Sequence, residues 1–175
     1  MKHADRKIKK DIIRLSRFYK KNGYNILRLI TNALCLDEDI NIMGNTSFYI
    51  GDIDDVSVKE RYDSNKLLLA YVQGGWDIHV FIDRIIEEAT LMIKFRENKY
   101  KNNVKRIFIA QLAHTFYHEF YHLKQYEILS EDEFLNLVEN LDKFGVDENS
   151  EKYCDTEAEK LVNKYIKYIF ILLKI

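Results

Sequence analysis

Hydrophobic residues recur at helical spacing over most of this 175-residue chain, whereas a central stretch shows the alternation and turn residues of short strands. The helical spacing predicts five helices, at residues 3–21, 24–36, 84–97, 103–126 and 150–173. Gly23 is predicted to end the first of them, and the third begins at residue 84 or one turn earlier. Turn residues separate four predicted strands: 40–43, 47–50, 66–72 and 78–82. A capping box of Ser130 and Glu133 predicts a further helix to about residue 143. The pattern predicts one α+β domain over residues 1–175, mainly helical with a small β-sheet.

The helix predicted over 103–126 is apolar on most of its surface and contains an isolated charge. Between Arg106 and Lys124, Glu119 is the only acidic or basic residue other than histidine. A lone carboxylate on an apolar helix is costly to bury unless it has a partner. Glu119 lies between His118 and His122, and the three residues have the spacing H-E-x-x-H. A metal site with a bound water at these two histidines would be such a partner for the Glu119 carboxylate.

This spacing is suited to holding a metal ion. Residues four apart lie on the same face of a helix, roughly 6 Å apart along its axis. His118 and His122 are therefore predicted to bind one Zn²⁺, and Glu119 to act as the general base on a water whose pKa the zinc lowers to about 7. The competing interpretation is a buried helix whose histidines are hydrogen-bonded core residues.

The same segment resembles the active-site helix of the zincin metallopeptidases. Thr115 lies three residues before the first histidine and uncharged residues surround the motif, as in that family, whereas Lys124 stands where an apolar residue is usual. The resemblance covers about 20 residues. It implies a zincin-like fold, with the small sheet packed beside the motif helix. It also implies a zinc metallopeptidase that hydrolyses a peptide or protein substrate.

A catalytic zinc normally has a third protein ligand. Geometry argues against His114, because it lies roughly 12 Å along the helix from His122. His114 is expected instead either to contact a ligand or the substrate, or to be a hydrogen-bonded core histidine. The gluzincin branch of the family carries an acid three residues before an alanine on a downstream helix, and alignment on Ala158 implies Asp155 as the third ligand. Glu157 and Glu151 remain alternatives. An acidic helix N-terminus without any ligand is the ordinary structural explanation of this segment.

Other parts of a zincin-like active site are less sharply defined by the sequence. Tyr117, Tyr121 and Tyr153 are candidate donors to an oxyanion. The strand in residues 77–83 is predicted to form a sheet edge that pairs with extended substrate. His79 on that strand is then either a cleft residue or, more commonly, a surface histidine.

Charge and hydropathy limit the partners that we expect. The chain has 27 basic and 28 acidic residues, a net charge of −1, which does not favour nucleic acid as a partner. Residues 3–21 are the exception, and their basic face is predicted to be solvated, with a nucleic-acid or acidic partner as the alternative. The longest apolar run, 168–173, is far shorter than the roughly 20 residues of a membrane span. Free thiols at Cys35 and Cys154 and the lack of a visible signal peptide fit a cytoplasmic protein.

The leading hypothesis is therefore a cytoplasmic zinc metallopeptidase. A second hypothesis is a non-catalytic zinc-binding or assembly protein of a virus or mobile element. The absence of proline and the abundance of Lys, Ile, Asn and Tyr suggest an A/T-rich source such as a low-GC bacterium, a phage or another virus. A third hypothesis is a regulatory peptidase that cleaves one protein, such as a repressor.

Overall fold

The computed structural model describes residues 2–35, 47–49, 59–60, 63, 68–73, 77–95, 103–127, 132–133 and 148–175. Its helices are α1 (Lys2–Cys35), α2 (Ile82–Phe95), α3 (Val104–Glu127) and α4 (Glu148–Leu173), and its strands are β1 (Ser47–Tyr49), β2 (Ala70–Gln73) and β3 (Asp77–Val80). In this part of the chain helices predominate over one small sheet, as the α+β prediction requires. None of these helices is long and apolar enough to cross a membrane. The predicted strand 40–43 and most of the helix predicted after Ser130 lie outside the described residues.

The N-terminal segment forms one continuous helix of 34 residues, so the predicted break at Gly23 is wrong. Gly23 is buried inside α1, and a Cβ atom at this position would lie 2.9 Å from Cζ of Tyr19. The glycine therefore makes room for a tyrosine ring one turn earlier. Its helix propensity is about 1 kcal/mol worse than that of alanine. The complete burial of Leu15, Ile26 and Ile30 on either side keeps the helix intact.

Strand β3 lies in the middle of the described sheet, so the prediction that residues 77–83 form a sheet edge is wrong. It pairs with β1 in parallel, with Phe48 opposite Ile78, and with β2 in an antiparallel ladder, with Tyr71 opposite His79. Both of its hydrogen-bonding sides are therefore occupied. His79 is buried rather than at the surface, and its ring stacks on Tyr71 with the centroids 4.9 Å apart.

The chain divides into two compact units, each assembled from separate segments. The first contains Met1–Gly44, Phe81–Ala113 and Asn163–Ile175, and in it α1 packs against α2. The second contains Asn45–Val80 and His114–Val162, which include the sheet and the residues of the H-E-x-x-H motif. Because both units are discontinuous in sequence, this division does not test the prediction of a single domain, which stays a prediction.

Candidate metal centre

Two helical segments of the second unit bring the candidate residues together. His118 and His122 lie one turn apart on α3, and both side chains are largely buried. Residues 148–162 of α4 run antiparallel to this part of α3. Ser150 hydrogen-bonds Gln125, whereas Asp155, which is further along α4, contacts His118, which is nearer the start of α3. The antiparallel arrangement places successive turns of α4 opposite successive turns of the motif helix.

Three potential ligand atoms converge between these helices. The Nε2 atoms of His118 and His122 are 3.0 Å apart. The Glu151 carboxylate lies against both rings, with Oε2 3.1 Å from Nε2 of His118 and Oε1 3.0 Å from Nε2 of His122. In the described part of the chain, these three residues form the one group of ligand-type side chains whose atoms all lie within 4.8 Å of one another.

The donor set has the chemistry and the spacing to hold a small divalent cation. An ionised carboxylate only accepts hydrogen bonds, so each Nε2 would have to carry a hydrogen for Glu151. Two N–H groups would then face each other across 3.0 Å. A cation among the three atoms would instead meet a lone pair from each. Ligands about 2.05 Å from a tetrahedral zinc are about 3.3 Å apart, close to the separations seen here.

The structure selects Glu151, and not Asp155, as the third member of this group. Asp155 approaches the opposite side of the first ring, where its Oδ1 lies 2.8 Å from Nδ1 of His118. Glu151 and Asp155 are one turn apart on the same face of α4, so helical periodicity alone cannot separate them. Alignment on Ala158 therefore found the right helix face, but the structure places the third carboxylate one turn earlier. Asp155 is positioned to orient His118, as carboxylates beside metal-bound histidines do.

The second histidine is held by a network that sequence reasoning did not find. Nδ1 of His122 lies 3.5 Å from Sγ of Cys154, which is 3.8 Å from Oε1 of Gln125. Ser150 donates a hydrogen bond to the same amide oxygen over 2.6 Å. With Nε2 directed at the cluster, Nδ1–H can donate to the thiol and the thiol to the amide. The sequence marked Cys154 only as a free cysteine, because nothing in its spacing indicates a contact with a histidine 32 residues earlier.

Burial and neighbouring carboxylates set the protonation of the cluster. Burial by itself lowers the pKa of His118, but the hydrogen bond to Glu151 and the negative charges of Glu119 and Glu151 outweigh it and raise this pKa to about 9. Hydrogen bonds from His118 and His122 lower the pKa of Glu151 to about 2. At neutral pH both ring nitrogens of His118 are therefore protonated when no metal is bound. A cation that binds at Nε2 must displace the proton on that atom.

Glu119 follows His118 in the chain, and its carboxyl group is a weaker acid than usual. Burial raises the pKa of its carboxyl to about 7, although the positive charges of His118 and His122 oppose the rise. The negative charge of Glu151 also raises the pKa of Glu119. A carboxyl group that titrates near neutrality is suited to accept a proton in one step and return it in the next. Burial likewise raises the pKa of Cys154 to about 12, so this thiol stays protonated as a hydrogen-bond donor.

The remaining candidates from the sequence lie outside the three-atom cluster. Glu157 forms an ion pair with Lys160 on α4. His114 lies one turn before His118, and burial lowers its pKa while the nearby Asp155 opposes the change. The rings of Tyr121 and Tyr153 meet edge to face with their centroids 6.0 Å apart. Nothing in this geometry selects an oxyanion donor.

Comparison of the chain with models of known protein families, with curated proteins and with solved structures found no match. The sequence motif is therefore the basis of the resemblance to zincins, and the geometry of the site is the basis of the proposed function.

Matched amide substitutions should separate the two carboxylates that contact His118. Glu151→Gln is expected to weaken zinc binding at least about tenfold more than Asp155→Asn does. The first removes a direct ligand, whereas changes beside a ligand typically cost 10–100-fold in affinity. Zinc affinity is measured by competition with a chromophoric chelator, with the helical circular dichroism of each variant as the control for folding. The opposite order of affinities would return the ligand role to Asp155.

Proposed function

We propose that the protein is a zinc-dependent metallopeptidase in which His118, His122 and Glu151 hold the metal and Glu119 is the general base. The observation that carries the proposal is the convergence of two Nε2 atoms and a carboxylate at mutual distances of 3.0–3.1 Å, beside a carboxyl group whose pKa is about 7. Two imidazoles and a carboxylate form a ligand set that recurs in catalytic zinc sites.

Each protein group has a distinct part in this chemistry. Zinc bound here would supply a Lewis acid that acidifies a water molecule and polarises a peptide carbonyl. Glu119 would take the proton of the attacking water and later deliver it to the leaving amine nitrogen. Asp155 and Cys154 would hold the two rings with Nδ1 protonated, so that both Nε2 lone pairs face the metal.

The ligand count favours catalysis over a purely structural metal site. Structural zinc sites normally close the tetrahedron with four protein ligands, whereas catalytic sites have three and leave one position for water or substrate. Among the described residues the cluster has three members. The Glu151 side chain is 40% exposed, which leaves the cluster accessible from solvent.

The proposal is tested by incubating the zinc-loaded protein with a mixed peptide library and identifying new termini by mass spectrometry. We expect cleavage that disappears with a chelator and returns when zinc is restored. Cleavage of one cellular protein but no library peptide would support a regulatory peptidase. One zinc per chain without any cleavage of peptides or proteins would contradict the proposal and favour the non-catalytic zinc-binding protein.

A further inference from the structure

One face of α1 carries a continuous stripe of positive charge, called here the basic stripe. At 100° per residue, its nine side chains fall within an arc of about 160°, and their positions span about 33 Å along the axis. All nine residues are exposed. They are Arg6, Lys7, Lys9, Lys10, Arg14, Arg17, Lys20, Lys21 and Arg28.

The opposite face of α1 is fixed in the core of the first unit. Leu15, Ile26, Ile30 and Leu34 are completely buried there, and α1 packs against α2. The basic stripe is therefore presented by an anchored helix. A helix that lies in a membrane surface needs a free apolar face to insert, and the face of α1 that these four residues form is already covered, whereas the exposed Ile13 and Tyr24 lie singly among the cations. The architecture thus disfavours a lipid surface as the partner.

The charge of the basic stripe is not compensated within the described part of the chain. Between residues 6 and 28 the only acidic residue is the half-buried Asp11. No ion pair involves any of the nine cations among the described residues. Like charges also recur three and four residues apart, as at Lys10, Arg14 and Arg17, which destabilises a solvated helix. Of the acidic residues that could relieve this repulsion at such spacings, only Asp11 is present, between Lys7 and Arg14, and the remaining excess of positive charge points to an external polyanion.

We propose that the basic stripe binds the phosphate backbone of a nucleic-acid duplex without sequence preference. Its length of about 33 Å matches one turn of duplex DNA, about 34 Å. A helix about 10–12 Å in diameter also fits the DNA major groove, about 12 Å wide, where cations across a broad arc can reach both backbones. The net charge of −1 does not by itself indicate such a partner, because it averages the basic face of residues 3–21 with acidic residues elsewhere. The inference does not depend on the metal centre.

Fluorescence anisotropy with a labelled 20-base-pair DNA duplex tests the proposal, and an RNA duplex of the same sequence shows which backbone is preferred. We expect a dissociation constant of roughly 1–100 µM at physiological salt, with steep weakening as salt increases. The triple variant Arg14→Glu, Arg17→Glu, Lys21→Glu should bind at least about tenfold more weakly. On DNA, its salt dependence should be shallower by about 2.7 in the log–log slope, since three phosphate contacts are lost.

The matched control carries the same charge change at exposed lysines elsewhere: Lys59→Glu, Lys167→Glu and Lys174→Glu. It should keep the wild-type affinity within about threefold, and chelation of metal should leave binding unchanged. The neutral variant Arg14→Gln, Arg17→Gln, Lys21→Gln, which avoids new carboxylates, should lose most of the same affinity. Equal loss in the control, absence of duplex binding, or binding only to polyglutamate or anionic vesicles would overturn the proposal.

Discussion

Replacement of His118 and His122 together by alanine is expected to abolish stoichiometric zinc binding. Both rings direct Nε2 at the same point, and the remaining carboxylate of Glu151 cannot hold the ion alone. Zinc sites with four ligands bind with roughly 10–16 kcal/mol, so the loss of two of three ligands should lower affinity at least about a thousandfold. Mass-spectrometric metal analysis after dialysis, together with calorimetric titration, measures the change.

His114→Ala is the matched control for this double variant. It removes an imidazole from the same helix, one turn before His118, and should leave one zinc per chain. The helical circular dichroism of all three proteins should agree, because the substituted residues lie within α3 and alanine favours helix. Full retention of zinc by the folded double variant would remove the basis of the metal centre.

Glu119→Gln is expected to retain zinc and lose hydrolysis. The amide is nearly isosteric with the carboxyl but cannot accept the proton of the attacking water. Removal of a general base typically lowers the rate by 10²–10⁴-fold. We expect a fall in kcat of this order on any peptide that the wild-type protein cleaves, with zinc still present at one ion per chain.

A second carboxyl-to-amide change, Glu159→Gln, provides the control, because Glu159 is an exposed residue outside the three-atom cluster. Its kcat should stay within about twofold of the wild-type value. If Glu119→Gln cleaves at the native rate, Glu119 is not the base. If it loses zinc or helical content, its carboxylate has a structural role at the cluster.

The local parts of the site were predictable from sequence because they depend on periodicity. The apolar pattern around Glu119 predicted the motif helix to within one residue at each end, since α3 covers Val104–Glu127. The four-residue spacing placed His118 and His122 on one face, and their Nε2 atoms do meet. Both features follow from 3.6 residues per turn, which one sequence reveals without any knowledge of tertiary contacts.

The features that sequence reasoning left open or predicted wrongly depend mostly on packing between elements. Glu151 and Asp155 share a face of α4, so only the register between two helices decides which carboxylate faces both Nε2 atoms. Gly23 was predicted to end a helix, but it accommodates the ring of Tyr19 inside one. The central position of β3 depends on its pairing with β1, which is not its neighbour in the sequence order of the strands. No local pattern encodes the register between the two helices or the order of the strands.

The central claim is that one zinc ion is held by His118, His122 and Glu151 with a position left open for water. A crystal structure of the zinc-loaded protein, with anomalous data at the zinc edge, tests it most directly. We expect one strong anomalous peak, about 2.0–2.1 Å from both Nε2 atoms and 2.0–2.2 Å from a Glu151 oxygen, with a water at the fourth position. A peak bound by Asp155 instead, a fourth protein ligand that closes the site, or no peak between these side chains would contradict the account.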